Sequence, residues 1–415
     1  MANRVSSSTE ITDIQTAFGA RVILELSLAE MRGSTKTIDL TPCATAGRVR
    51  LIDCVSLVND SVLHIWEFAS SPLEEWTFIE SDPRFKYSAI SYVWKGNRAP
   101  ATTSDDEGHL VVTGAEDGDP ISVSVLRDAC LASLCEDEPG RWRMVSRAEY
   151  LWLDRLCIAQ TSREDKALQI AQMYRVYRCC TQCLVLAGGI GRLVPLDEET
   201  SWAARAWTLQ ESLAPHMAVV LFAWTAGAGR MLSTSVFKLR EVGSGSGCAY
   251  ARLADVVRAC IDGPMVFNAC PIDMPLGKMR DPAIIAAGTP INIRIFGKGQ
   301  ANLLALRSAR LQFQASSQVQ IERRCYSTIW RCALMRTSSR PVDMVLSIMG
   351  LMGVSLDPRG FSADDRIGAT VALARAILEK GGSADWLGMP AKIPPCPQLS
   401  IFPQFPETDV AGSAR

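Results

Sequence analysis

Tyr150–Cys183 reads YLWLDRLCIAQTSREDKALQIAQMYRVYRCCTQC, and its order of residue types decides the fold class. The apolar run Tyr150–Leu153 ends directly on Asp154, and a short polar loop leads to Ser162. Ser162 is a good N-cap, and Asp165 stands three residues on, near a capping-box position. Arg163, Lys166, Gln169, Gln172 and Arg175 then make a wet stripe. Ala167, Ile170, Ala171, Tyr174 and Tyr177 make an apolar one. The spacing predicts a helix over Arg163–Cys179 that covers a sheet.

The same alternation extends both ways. Tyr87–Trp94, Tyr150–Leu153, Gln182–Ala187 and Met217–Trp224 read as strands; Val123–Cys135, Arg163–Cys179 and Trp202–Leu213 read as helices. Strands alternating with helices imply βαβ units and a largely parallel α/β sheet flanked by helices. Residues 1–80 form a β-containing N-terminal segment, with runs at Arg48–Val58 and Ser61–Phe68 around Asn59-Asp60. Residues 81–224 form the α/β domain, and residues 225–249, with AGAGR and GSGSG, a flexible linker. Residues 250–389 read as mainly helical. Asp364–Lys380 is an amphipathic helix stopped by Gly381-Gly382, and the Pro-rich tail 390–415 is expected to be poorly ordered.

Bulk composition excludes several classes. The 415 residues exceed one ordinary core, and 48% hydrophobic against 21% charged residues indicates a globular chain. A net charge of −1 gives no pull toward nucleic acid or anionic membranes. The cations are 34 Arg and 9 Lys, which favours planar or buried ion pairing. No apolar run reaches the ~20 residues of a membrane span. Met1–Glu10 has no apolar signal region, so a cytoplasmic setting with reduced thiols is expected for the 14 cysteines. Cys180 and Cys183 lack the second pair of a zinc ribbon, and buried free thiols are the expectation there.

SYVWKG (Ser91–Gly96), LWLDRLCIAQ (Leu151–Gln160), QIAQMYRVY (Gln169–Tyr177) and WAARAWTLQE (Trp202–Glu211) together resemble the blocks of the fungal heterokaryon incompatibility (HET) domain. They occur in the family's order. RPVDMVLSIMGLMGV (Arg340–Val354) resembles a segment that follows many such domains. Departures are Lys95 before Gly96, Ala159 before Gln160 and the strand ending LVLAGG. The resemblance implies non-self recognition ending in programmed cell death, with protein partners: an incompatibility sensor or further copies of the chain. It also implies a flavodoxin/TIR-like sheet, by the likeness drawn between HET and Toll/interleukin-receptor domains. Some of those cleave NAD; others only assemble. The competing expectation is a nucleotide- or small-molecule-binding α/β enzyme unrelated to incompatibility.

Candidate chemistry follows the strand ends, where ligands of open α/β sheets bind. Asp154 there can accept ribose hydroxyls or act in acid–base chemistry; otherwise it caps a turn or pairs with Arg155 or Arg205. On a continuous helix Trp207, Gln210 and Glu211 share one face, which makes Glu211 the second catalytic carboxylate. The alternative is a core Trp207 and a Glu211 paired with arginine. Ser91, Trp94, Arg205 and Trp207 are the candidates for binding a nucleotide, with NAD as the substrate considered. Gly188-Gly189-Ile190-Gly191-Arg192 lacks phosphate-loop spacing and reads as a turn. Cys157 has no histidine nearby in sequence to activate it.

Overall fold

The structure, a computed structural model, describes residues 19–68, 86–98, 107–136, 145–233, 235–243, 246–269, 282–297, 299–315, 325–383 and 386. The expected Pro-rich tail 390–415 lies outside them.

The strands in chain order are β1 (Arg21–Ser27), β2 (Thr35–Ile38), β3 (Arg50–Asp53), β4 (Val62–Glu67), β5 (Tyr87–Tyr92), β6 (His109–Val112), β7 (Ile121–Ser122) and β8 (Tyr150–Trp152). They continue with β9 (Gln182–Leu186), β10 (Ala218–Ala223), β11 (Gly229–Leu232), β12 (Val236–Glu241), β13 (Cys248–Arg252), β14 (Met265–Asn268) and β15 (Thr289–Ile291). The helices are α1 (Val123–Leu134), α2 (Asp154–Cys157), α3 (Arg163–Cys179), α4 (Trp207–Leu213), α5 (Leu253–Asp262), α6 (Pro282–Ala286), α7 (Gln300–Ala315), α8 (Tyr326–Leu334), α9 (Asp343–Met349) and α10 (Arg366–Glu379).

One sheet carries twelve strands in the order β1-β4-β3-β8-β5-β9-β10-β13-β12-β11-β14-β15; β2, β6 and β7 form a small second sheet. In the large sheet β5 pairs parallel with β8 and β9, and β9 with β10. Every other neighbouring pair is antiparallel. This corrects the expected flavodoxin/TIR-like, largely parallel sheet: the sheet is mixed and mostly antiparallel. The cause lies on both flanks. The β3–β4 hairpin adds to β8 from the N-terminal side. On the other side β11, β12 and β13 extend the sheet from within or beside the Gly/Ser-rich stretch that reads as a linker.

The central strands are buried on both faces, so they run apolar without alternation. β5 shows the two layers. Ser88 Oγ meets Ser133 Oγ of α1 at 2.8 Å, while the Tyr87 hydroxyl donates to Val176 O of α3 at 2.6 Å. α3 has the expected bounds, and Ser162 Oγ accepts from Asp165 N. The Asp165 carboxylate does not return to the cap. It grips fully buried Arg50 of β3 in a two-pronged pair, 2.9 Å on each side. Arg50 also donates to Glu67 and to the carbonyls of Cys157 and Thr45. Ala159 N and Gly47 N complete Asp165. This network ties β3, β4 and the Cys157–Ala159 turn to the start of α3. Among the described residues no helix is long and apolar enough to cross a membrane.

Candidate functional site

β8 ends at Trp152, and after extended Leu153 the chain turns into α2 with Asp154 as its first residue. Next to it, β5 runs out through Tyr92 to Trp94. The Tyr92 hydroxyl donates to Asp154 Oδ1 at 2.6 Å and Trp94 Nε1 to Oδ2 at 2.7 Å; Arg155 N also donates to Oδ1, at 2.7 Å. The Arg155 guanidinium is fully buried and turns away from the acid. It donates to the carbonyls of Asp119 and Ala115 and stands 5.8 Å from the centre of the Trp94 ring. Gln160 Nε2 donates to Asp154 O at 2.9 Å. Half-buried Asp154 is thus the hub of SYVWKG and LWLDRLCIAQ. Burial raises its pKa, opposed by the hydrogen bonds from Tyr92 and Trp94.

Glu211 on α4 reaches the opposite side of β5. Ser91 Oγ donates to its Oε2 at 2.5 Å and itself accepts from Trp202 Nε1 at 2.9 Å. The carboxyl is only 8% exposed. Burial pushes its pKa up to about 8. The Asp154 charge adds to the rise, while the Ser91 hydrogen bond and the Arg336 charge oppose it. Tyr177 also hydrogen-bonds Glu211, yet its hydroxyl donates to Ile90 O at 2.8 Å. One hydroxyl hydrogen cannot serve both partners. A protonated Glu211 that donates to Tyr177 satisfies every atom.

Trp202–Leu213 is not the single helix expected. It splits into a 3-10 turn (Trp202–Ala204) and α4, with Arg205 extended between them at φ −81°, ψ 141°. A distant strand-like residue causes the break: Ala206 N donates to Thr337 O at 2.9 Å and Thr337 N to Ala204 O at 2.7 Å. Arg205 and half-buried Trp207 consequently gather around Asp343 of α9, with Trp207 hydrogen-bonded to that carboxyl. Buried Arg336 clasps the break by donating to Arg205 O at 2.8 Å and Thr208 Oγ1 at 2.7 Å. Of the six candidates, Ser91 joins Glu211 and Trp94 joins Asp154. Arg205 and Trp207 form a separate group.

Residue types alone did not single out Tyr177, Trp202, Arg336 and Asp343. Tyr177 looks like one more member of an apolar stripe, and Arg336 and Asp343 lie far along the chain. The glycine-rich loop serves packing. A Cβ on Gly96 would lie 1.9 Å from Gly188 O, so SYVWKG and LAGG approach backbone to backbone. Cys157 is fully buried with its thiol pushed up to about 12, which makes it inert as a nucleophile. Cys180 Sγ donates to Tyr177 O, and no group of potential metal ligands is found among the described residues. A cavity of about 210 Å³ lined by Cys260, Arg294 and Gln300, among others, involves none of these acids.

Residues 87–194 match the family described as Heterokaryon incompatibility protein (HET). No curated protein and no solved structure matches the chain. The match begins at the first residue of β5 and takes in Asp154, its donors Tyr92 and Trp94, and Ser91. Residues 87–194 of the chain thus form a heterokaryon incompatibility (HET) domain.

Proposed function

We propose that this protein is a cytoplasmic effector of fungal non-self recognition that triggers cell death by cleaving a nucleotide at the Asp154–Glu211 carboxyl pair. One observation carries the reading: two acids beside the same strand end are held in different environments, and Glu211 keeps its proton to about pH 8. Acids whose environments separate their protonation divide the roles of acid–base chemistry. NAD is the substrate class with the simplest demands. Its ribosyl C–N bond breaks with the electron pair leaving on the nicotinamide nitrogen, so the leaving group needs no proton. Water adds to the anomeric carbon and gives its proton to ionised Glu211. The Asp154 carboxylate, whose Oδ2 keeps a further lone pair beside the Trp94 hydrogen bond, stands for a ribose hydroxyl and the developing positive charge.

The test is nicotinamide release from NAD by purified protein. Release should rise with pH to a midpoint near 8, where Glu211 ionises. Asp154→Asn and Glu211→Gln should each abolish it while the fold persists. Full activity in either variant would overturn the assignment. A second reading is an assembling, non-catalytic effector. It is favoured by Asp154 already holding Tyr92 and Trp94, and total absence of release by folded wild type would select it.

A further inference from the structure

Arg336 follows α8 and is fully buried. Its Nη1 donates to Arg205 O and Thr208 Oγ1, both neutral oxygens. Nε and Nη2 are buried and have no hydrogen-bond partner among the described residues. Those two donors are the side-on fork of a guanidinium, the edge that fits both oxygens of one carboxylate. A buried cation is costly unless it is paired, and each unmade buried donor adds to the cost. Burial brings the Arg336 pKa down to about 10, opposed by Cys332 and Glu211.

An acid lies beside this fork. Thr208 stands three residues before Glu211 on α4, and side chains three apart on a helix are neighbours. The bond to Thr208 Oγ1 therefore sets the guanidinium beside the turn that carries Glu211. The other groups that face Glu211 are Ser91 and Tyr92 of β5, Asp154 of α2, Tyr177 of α3 and Cys183 of β9. Burial keeps Tyr92, Tyr177 and Cys183 protonated, and Asp154 is itself an acid. Arg336 is the cation among them. On its own side it faces the Cys332 thiol, which burial pushes up to about 11 and keeps neutral.

We propose that Arg336 is a positioning residue for the Glu211 chemistry: its Nε–Nη2 fork takes the Glu211 carboxylate when that acid ionises and releases it when the acid is protonated again. The proposal rests on the nucleotide-cleaving reading, in which ionised Glu211 accepts the proton of the attacking water. Ionisation breaks only the carboxyl O–H bond, and the proton passes to solvent. Glu211 then no longer donates to Tyr177, and the buried anion and the buried cation compensate each other. A carboxylate has acceptor sites for Ser91 and for both prongs of the fork together. Nη1 stays on Arg205 O and Thr208 Oγ1, so the break before α4 aims the fork.

The test is NMR of the folded full chain with isotope-labelled glutamate and arginine, which needs no substrate. Across the ionisation of Glu211 near pH 8, the Arg336 Nε–H signal should move downfield with the same midpoint as the Glu211 carboxyl carbon. The movement should vanish in Glu211→Gln. Arg336→Gln should raise the Glu211 midpoint by about one pH unit, a tenfold loss of the ionised form at a given pH. The pH profile of nicotinamide release should move with it. Arg336→Lys keeps the charge without the fork and should recover part of that shift. A merely structural Arg336 would lower the melting temperature in both variants and leave the midpoint in place. An Arg336 signal that ignores the Glu211 titration in wild type would overturn the inference, whether or not the variants fold. So would an unmoved midpoint in folded Arg336→Gln. If the two signals titrate together while wild type releases no nicotinamide, the cleavage reading falls and the Arg336–Glu211 pairing stands.

Discussion

Glu211 sits on α4 beside β5, beyond the matched residues 87–194, and its proton links that position to stability. The folded protein holds that proton up to about pH 8, whereas an ordinary glutamate releases it near 4.5. Between those values the unfolded chain binds fewer protons than the folded one, so this group's contribution falls as pH rises. It is fully present below about 4.5 and lost by about 8. Glu211→Gln keeps the shape and the acceptor for Ser91 but cannot ionise. Its melting temperature relative to wild type should therefore climb across that window, with a ceiling on the order of a few kcal/mol. A constant difference from pH 5 to 8 would show that Glu211 is already ionised in the fold. At this scale the sequence was informative where strand order and an acid coincide, as at Asp154. It was silent on Tyr177, because a buried tyrosine whose hydroxyl serves a carboxyl looks the same as one that only packs.

Elements follow local signals where their ends are local. Ser162 caps α3, Asp365 caps α10 by accepting from Gly368 N, and both helices lie within two residues of their expected bounds. The WAARAWTLQE segment fails the same test because its break is imposed from far along the chain by Thr337 and Arg336. No helix-stop signal marks Arg205, so the periodicity placed Arg205, Trp207 and Glu211 on one rod. The Arg50–Asp165 pair is the reverse case, a long-range tie hidden behind a capping pattern. Both side chains are fully buried, and the pair holds β3 to α3. Removing Arg50 leaves the buried Asp165 charge without its cation, and removing Asp165 leaves buried Arg50 with Glu67 as its one remaining anion; breaking a buried pair costs about 3–5 kcal/mol. Arg50→Ala and Asp165→Ala should each lower stability to chemical denaturant by that order. The double variant should fall short of the sum, because the singles share one interaction. Additive losses would mean that the two residues act independently.

On the scale of the whole molecule, the four parallel strands lie where apolar runs and caps put them, but the sheet does not stop at β10. β13 pairs with β10 along Val219–Ala223, and β12, β11, β14 and β15 follow. Short strands broken by Gly and Ser carry little periodicity, so this half reads more simply as a linker and a helical region. The C-terminal half also packs on the Trp202–Leu213 segment, which lies beyond the matched residues 87–194. Phe296 packs on Trp202 with ring centres 5.1 Å apart, Asn302 Nδ2 donates to Ala203 O, Arg310 to Ser212 O, and Arg336 clasps the break before α4. A chain ending at Trp224 would lose all four contacts and bare the β10 edge, whose first five residues are buried. An exposed apolar edge of that kind pairs with other chains. The shortened protein should therefore aggregate, or show no cooperative thermal transition, whereas the full chain unfolds cooperatively. If residues 81–224 instead melt as a soluble unit near the full chain's temperature, the C-terminal contacts are dispensable. Glu211 would then have to be shielded by β5 and Trp202 alone, and its titration in the shortened chain would report that directly.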